Sequence, residues 1–185
     1  MLSLNLPLFP VLETQRLILR GQNESDAAAL YALRTNDQVM RYIDRVRPKH
    51  VDESKAVIQT LNKNFKNGES LVWAIVLKEQ PDVMIGNIGY YRTDLANHRA
   101  ELGYMLLPEY WRKGIISEAL VQAVNFGFDS INLHSISANI NPENNASRQI
   151  LIKNGFVKEA YFKQDYYVNG KFLDSEIYGL LNPNH

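Results

Sequence analysis

The sequence predicts a single α/β domain with a mixed, mostly antiparallel central sheet flanked by helices. Three observations lead there. Apolar runs rich in β-branched and aromatic residues sit close together at 71–77, 83–91 and 99–107, which is the pattern of an antiparallel meander. A helix-periodic segment at 116–129 falls between the last of these and another strand-like run at 134–140, which is the pattern of a βαβ crossover. Asn169-Gly170 separates the last two strand-like runs and is a strong hairpin signal.

Each element has its own warrant. Residues 13–20 read as a first strand, with Leu17 and Leu19 on one face. Asn23 is placed as an N-cap with Asp26 three residues on, and Ala27, Leu30 and Tyr31 form a helical stripe. A second helix is expected from Asp52, carrying Ile58, Leu61 and Phe65, with Gly68 as its stop. Gly86 and Gly89 inside the second strand-like run point to a bulge or a close backbone approach. In the segment 116–129 Glu118, Gln122, Asn125 and Asp129 form a polar stripe and most of the remainder is apolar, so that helix is expected to be buried on most sides. A short helix over 144–154 ends at Gly155, and strands over 157–162 and 172–181 close the chain. The expected order is β-α-α-β-β-β-α-β-α-β-β.

The 185 residues suit one domain. No repeat or linker-like shift divides them, so one domain over 1–185 is expected, with 1–10 as an extension and a core of about 11–182. Twenty basic and twenty acidic residues balance, which gives nucleic-acid binding no global electrostatic support. The absence of cysteine excludes disulfides, thiolate metal sites and a cysteine nucleophile. The four histidines have no metal-ligand spacing, and no metal is expected. The apolar start, 2–11, lacks a basic flank and is broken by Pro7 and Pro10, and no run reaches the roughly 20 apolar residues of a membrane span. A cytoplasmic protein without membrane contact is expected.

The most informative stretch is 101–120, where a strand runs through Pro108 into a basic, glycine-bearing loop and then a helix. Helix N-termini present unpaired amides and partial positive charge, so this is an anion site. Gly114 admits close approach, Arg112 and Lys113 add charge, and Ser117 suits a cap. Taken alone these features also fit an ordinary capped helix. The stretch is neither a Walker loop nor a dinucleotide fingerprint.

Several ordered motifs together resemble the GNAT superfamily of acetyl-CoA-dependent N-acetyltransferases, in particular its ribosomal-protein-alanine (Rim-type) branch. They are Leu12-Glu-Thr-Gln-Arg-Leu-Ile-Leu-Arg20, Ala100-Glu-Leu-Gly-Tyr104, Pro108-Glu-Tyr-Trp-Arg-Lys-Gly114, Asn144-Asn-Ala-Ser147 and Lys153-Asn-Gly-Phe156. The resemblance covers almost the whole chain. It implies a GNAT acyl-CoA N-acyltransferase fold and acetyl-CoA as co-substrate. It implies that the amides of the loop and first helical turn, Arg112, Lys113, Gly114, Ile115, Ile116 and Ser117, hold the CoA pyrophosphate, and Trp111 is expected to pack beside that loop as part of the cofactor site. It also implies that the backbone of Met105, Leu106 and Leu107 pairs with the pantetheine arm like an added strand, with Asn139, Asn144 and Ser147 across the cleft. Two positions depart from the pattern: Ile116 stands where the superfamily prefers Gly or Ala, and Arg112 where the branch usually has glycine.

Acetyl transfer to an amine needs a neutral acceptor, a polarised carbonyl, aligned reactants and a stabilised leaving thiolate. Glu101 is the candidate base; strand alternation puts it on one face with Gly103 and Met105, and Leu102, Tyr104 and Leu106 on the other. An ion pair with Arg99 or a neighbouring strand is the structural alternative. Many superfamily members place a tyrosine where this chain has Leu151, which leaves Ser147 as the candidate donor to the sulfur; a local helix-start bond is its structural alternative. Tyr90, Tyr91 and Tyr166 are candidates for an acceptor groove, whereas Trp73 is expected in the core. The basic segment 41–50 holds Arg41, Arg45, Arg47, Lys49 and His50. A solvated face is the ordinary reading of such a run, and docking of an acidic substrate tail is the other.

The expected activity is acetylation of a primary amine, foremost a protein N-terminal α-amine. A polyamine, amino sugar or amino acid acceptor and a non-catalytic acyl-CoA-binding module are the alternatives. The partners expected are acetyl-CoA and the amine, with no nucleic acid, in a monomer or homodimer.

Overall fold

Two apolar clusters lie on opposite faces of one eight-stranded sheet. The computed structural model describes residues 6–168 and 170–184; Asn169 of the expected hairpin dipeptide lies outside them, and Gly170 takes the left-handed φ of +81°. The strands are β1 (Leu12–Glu13), β2 (Leu17–Gly21), β3 (Leu71–Leu77), β4 (Gln80–Asp94), β5 (Arg99–Leu106), β6 (Ser135–Ile140), β7 (Val157–Val168) and β8 (Lys171–Leu181). They are ordered β1-β2-β3-β4-β5-β6-β8-β7. Every neighbouring pair is antiparallel except β5 and β6.

The helices are α1 (Ala27–Thr35), α2 (Asp37–Met40), α3 (Val51–Lys66), α4 (Ile115–Asn125) and α5 (Asn145–Lys153). The larger cluster packs α4 through Ile116, Leu120 and Ala123 against Leu19, Trp73, Ile88 and Leu102 of the sheet. On the other face Leu30 and Leu33 of α1 and Ile58 of α3 meet Ala74 and Met84. Among the described residues no helix is long and apolar enough to cross a membrane.

The expected class and the crossover β5–α4–β6 are found, with differences of detail. The first strand is split, because Thr14 turns the chain by bonding Leu17 through both main chain and hydroxyl. The four-residue α2, capped by Asn36, was not expected. The helix read over 116–129 becomes a wider π turn at Phe126–Ser130. The glycines of β4 do mark close approach: a Cβ at Gly89 would stand 2.2 Å from the Leu71 carbonyl oxygen.

The start of the chain braces the start of α4. The Glu118 carboxylate accepts from the Thr14 hydroxyl at 2.5 Å, the Arg16 amide at 2.8 Å and Arg16 Nε at 2.7 Å. Arg16 Nη1 also donates to the Lys113 carbonyl at 2.9 Å. Burial pushes the Glu118 carboxyl up, and these bonds outweigh it, so its pKa ends below the usual value. The first-strand motif thus has a physical task, which is to hold the loop ahead of α4.

Candidate active site

The parallel pair β5–β6 lasts three residues: Arg99 with Ser135, Ala100 with Ile136 and Glu101 with Ser137. Beyond Glu101 the strands part, β5 following β4 to Leu106 and β6 following β8 to Ile140. The gap is a cleft of about 1240 Å³ that reaches from Ile116 and Ser147 on one side of the sheet to Leu30 and Val57 on the other.

The edge of β5 facing this gap can be read from its ladder. Leu107 N–H donates to the Ile85 carbonyl at 2.9 Å, and antiparallel pairing alternates. Gly103, Met105 and Leu107 therefore turn their backbone groups to β4, and Tyr104 and Leu106 turn theirs to the cleft. Trp111 Nε1 takes up the Leu106 carbonyl at 2.7 Å. The open groups are the amide of Leu106 and the amide and carbonyl of Tyr104. This corrects the expected edge of Met105 to Leu107: Leu107 spends its amide on β4, and the side chains of Met105 and Leu107 pack into the α1–α3 core.

At the far end of that edge the loop prepares α4. Arg112 has φ +59° and Gly114 +75°, both left-handed, so each position favours glycine. Gly114 is the N-cap and no side chain caps the helix; the first main-chain bond is Glu118 N–H to Gly114 at 3.0 Å. The amides of Ile115, Ile116 and Ser117 are thus left without helical acceptors at the positive end of α4. Ser117 lies inside the first turn and is not the cap. Arg112, Gly114, Ile115, Ile116 and Ser117 line the cleft. Lys113 does not; its ammonium lies 5.4 Å over the Tyr110 ring.

Across the cleft, α5 is capped by Asn144, whose side-chain carbonyl accepts the Ser147 amide at 3.1 Å. The buried Ser147 hydroxyl meets the Tyr104 hydroxyl at 2.6 Å. Burial pushes the Tyr104 phenol up to about 12 against a smaller opposing effect of that bond. Asn139 and Asn144 line the same cleft. Tyr104 was missed as a site residue; its strand parity, opposite to Glu101 and toward the helices beyond, was the available signal.

Glu101 stands where β5 and β6 separate, a third exposed, and its carboxylate pairs with Arg92 Nη1 at 3.3 Å. Arg99 pairs with Asp94 instead. Next to Glu101, Tyr91 is the extra residue of a bulge in β4, since Tyr90 pairs with Leu102 and Arg92 with Glu101. The Tyr91 hydroxyl donates to Asn87 Oδ1 at 3.0 Å, and the Arg45 guanidinium lies 5.0 Å from its ring centroid. Burial raises the Tyr91 phenol to about 12, with Arg45 and Arg34 acting against it. Tyr166 reaches the same side from β7 and donates to Asp44 Oδ2 at 2.6 Å, which raises its pKa further beyond burial.

Tyr90 is a correction. It is wholly buried under α4 with its hydroxyl on the Ala123 carbonyl at 2.7 Å, so it lines no groove. Trp73 is also core, as expected, with its indole N–H on the Pro10 carbonyl at 2.9 Å.

The GNAT acetyltransferase domain model matches residues 16–157. The chain belongs to the GNAT acetyltransferase family. It is similar over 95% of its length to 99% of the uncharacterized N-acetyltransferase YoaA of Bacillus subtilis, at 35% identity. It is 27% identical to the [ribosomal protein uS5]-alanine N-acetyltransferase of Escherichia coli, with 94% of this chain and 91% of that one covered. RimJ of Mycobacterium smegmatis, solved with a CoA disulfide, shares the fold at a TM-score of 0.86 and 23% identity, covering 100% of this chain and 91% of its own. The GNAT chain described here is an acetyl-CoA-dependent N-acetyltransferase. Unspent amides at α4, a basic loop and an open strand edge fit a long molecule with a pyrophosphate at one end and an amide-bearing arm at the other.

Proposed function

We propose that this GNAT enzyme acetylates the N-terminal α-amine of a protein, with Glu101 as base. The observation that carries this reading is the position of Glu101 at the point where β5 and β6 part, in a cleft open to both faces of the sheet. A reference α-amine pKa of about 7.7–8.0, against about 10.4 for lysine, makes it the easier amine to neutralise beside one accessible carboxylate. Beside Glu101 the cleft is lined by Arg34 of α1, residues 41–45 after α2 and Tyr166 of β7. The uS5-alanine enzyme to which the chain is similar acts on such an amine by its name.

In this reading the amides of Ile115, Ile116 and Ser117 and the charge of Arg112 bind the pyrophosphate. The Leu106 amide and Tyr104 carbonyl orient the pantetheine arm. Lys113, on the loop's outer side, acts through its backbone, held by Arg16. Asn139 and Asn144 form the opposite wall, and Trp111 fixes the loop to β5. Acetyl-CoA supplies the acetyl group as a thioester. Glu101, directly or through water, takes the proton the amine loses as its nitrogen bonds the acetyl carbon. Ser147 donates to the sulfur as the C–S bond breaks, and Tyr104 supports that hydroxyl. Tyr91 and Tyr166 border the acceptor.

The test is free-thiol release from acetyl-CoA with a panel of N-terminal peptides, polyamines and amino sugars. Release with alanine- or serine-starting peptides is expected. Release with small amines alone would replace the substrate. Silence across the panel with CoA binding intact would favour a binding module and refute transfer to these amines.

A further inference from the structure

A second cavity of about 410 Å³ opens from the acceptor side of the cleft and shares Arg34, Arg45, Tyr91 and Arg92 with it. Of the ten described residues that line it, three are arginines and none is acidic, in a chain whose net charge is zero. Among the described residues neither Arg34 nor Arg45 forms an ion pair; Arg34 donates to the Val46 carbonyl at 3.0 Å, and Arg45 lies over Tyr91. The nearby carboxylates are otherwise engaged: Glu101 with Arg92, Asp44 with Tyr166, and Glu53 with the Lys49 amide. Of the basic segment after α2, Arg47 pairs with Asp37 and Arg41 lies over Tyr42. Only Arg45 joins this cluster.

Holding two guanidinium groups close together is unfavourable, and Arg34 records it: burial first, then Arg45, pull its pKa below the usual value, against smaller opposing effects of Tyr91 and Glu53. A buried hydroxyl with no hydrogen-bond partner, Ser70, lines the same cavity. Arg92 touches the candidate base at 3.3 Å and lines the cavity as well. An anion on its remaining donors therefore lies within a guanidinium's width of Glu101.

We propose that Arg34, Arg45 and Arg92 form an anion subsite of the acceptor channel, and that the acceptor is a primary amine carrying a carboxylate close to that amine. This rests on the amine-acceptor reading and narrows it. A polycation such as spermidine would bring like charge to three arginines. A peptide with acidic residues just after its N-terminus, or an acidic amino acid, would bring Arg34 and Arg45 the carboxylate they lack among the described residues, through charge-assisted bonds.

The test separates binding from turnover. Calorimetry on CoA-loaded protein, which cannot turn over, compares Ala-Glu-Glu-Ala, Ala-Lys-Lys-Ala, free glutamate and spermidine. The acidic peptide is expected to bind tighter than the lysine peptide by about tenfold or more, and Arg34→Gln/Arg45→Gln to remove the difference. Glutamate binding as well as the acidic peptide would identify a free amino acid as the source; peptide binding alone would identify a protein N-terminus. Equal or tighter binding of the lysine peptide or spermidine, or a preference that survives the double substitution, overturns the subsite. Arg34→Lys/Arg45→Lys should keep part of the preference, and the wild-type preference should shrink with added salt, so a misfolded glutamine variant does not protect the idea. Thiol release with acetyl-CoA is read separately: selective binding without turnover would refute acetyl transfer to these acceptors and leave the anion subsite standing.

Discussion

The brace under the pyrophosphate loop predicts a coupled loss of stability and CoA affinity. In Glu118→Gln, one side-chain oxygen can still accept from Thr14 and the Arg16 amide. The new NH2 group then faces the Arg16 guanidinium, where the carboxylate had accepted from Nε at 2.7 Å and Nη2 at 2.7 Å. Two charge-assisted bonds are lost, each worth about 1.5–3 kcal/mol when sheltered. Arg16 is 45% exposed, so solvent screening reduces their sum to about 1–2 kcal/mol. At roughly 2–4 °C per kcal/mol for a chain of this size, Tm should fall by about 2–8 °C. Freed from Glu118, Arg16 also loosens its hold on the Lys113 carbonyl, so CoA affinity measured by calorimetry should fall. The pH dependence has a definite sign. The folded pKa of Glu118 lies below its unfolded value, so its contribution is full above about pH 4.3 and is lost as pH falls through the depressed folded value. The gap between wild type and variant should therefore be full at neutral pH and close in acid. A variant with wild-type CoA affinity and Tm at pH 7 would refute the brace.

Two further substitutions probe the cofactor side. A Cβ at Gly114 would meet only Arg16 Nη2 at 3.5 Å, an ordinary contact, so Gly114→Ala should cost just the left-handed backbone penalty of about 1–2 kcal/mol in urea unfolding, and should weaken CoA binding. Tyr104→Phe removes the 2.6 Å partner of a buried hydroxyl; stability should drop by about 1–3 kcal/mol, and kcat should fall more for a poor leaving thiol than for a good one, a difference that a purely structural role would not produce.

Much of this fold was legible because its central strands obey simple rules. The runs at β3, β4 and β5 are apolar enough to be strands in any context, and the polar stripe of α4 gave its buried orientation. The strand β7, read over 157–162, extends to Val168; Lys163, Gln164 and Asp165 lack apolar alternation, and pairing with β8 supplies what the pattern does not. At the site, Glu101, Ser147 and the α4 turn follow from motif and parity. The Tyr104–Ser147 contact depends on how α5 packs over β5. The arginine cluster depends on the bulge at Tyr91 and the path of the chain after α2, and no local pattern encodes either. Tyr90 was misassigned because an aromatic next to a bulge can face either way; the extra residue sends Tyr91 to the cleft and Tyr90 to the core.

The most direct measurement of acetyl transfer at the parting of β5 and β6 is steady-state thiol release by Glu101→Gln, paired with CoA affinity. If Glu101 is the base, kcat should fall by about 10²–10⁴-fold while the Kd for CoA stays at the wild-type value, since among the described residues Glu101 pairs with Arg92 and not with the pyrophosphate loop. Wild-type turnover in Glu101→Gln would contradict a base at this position.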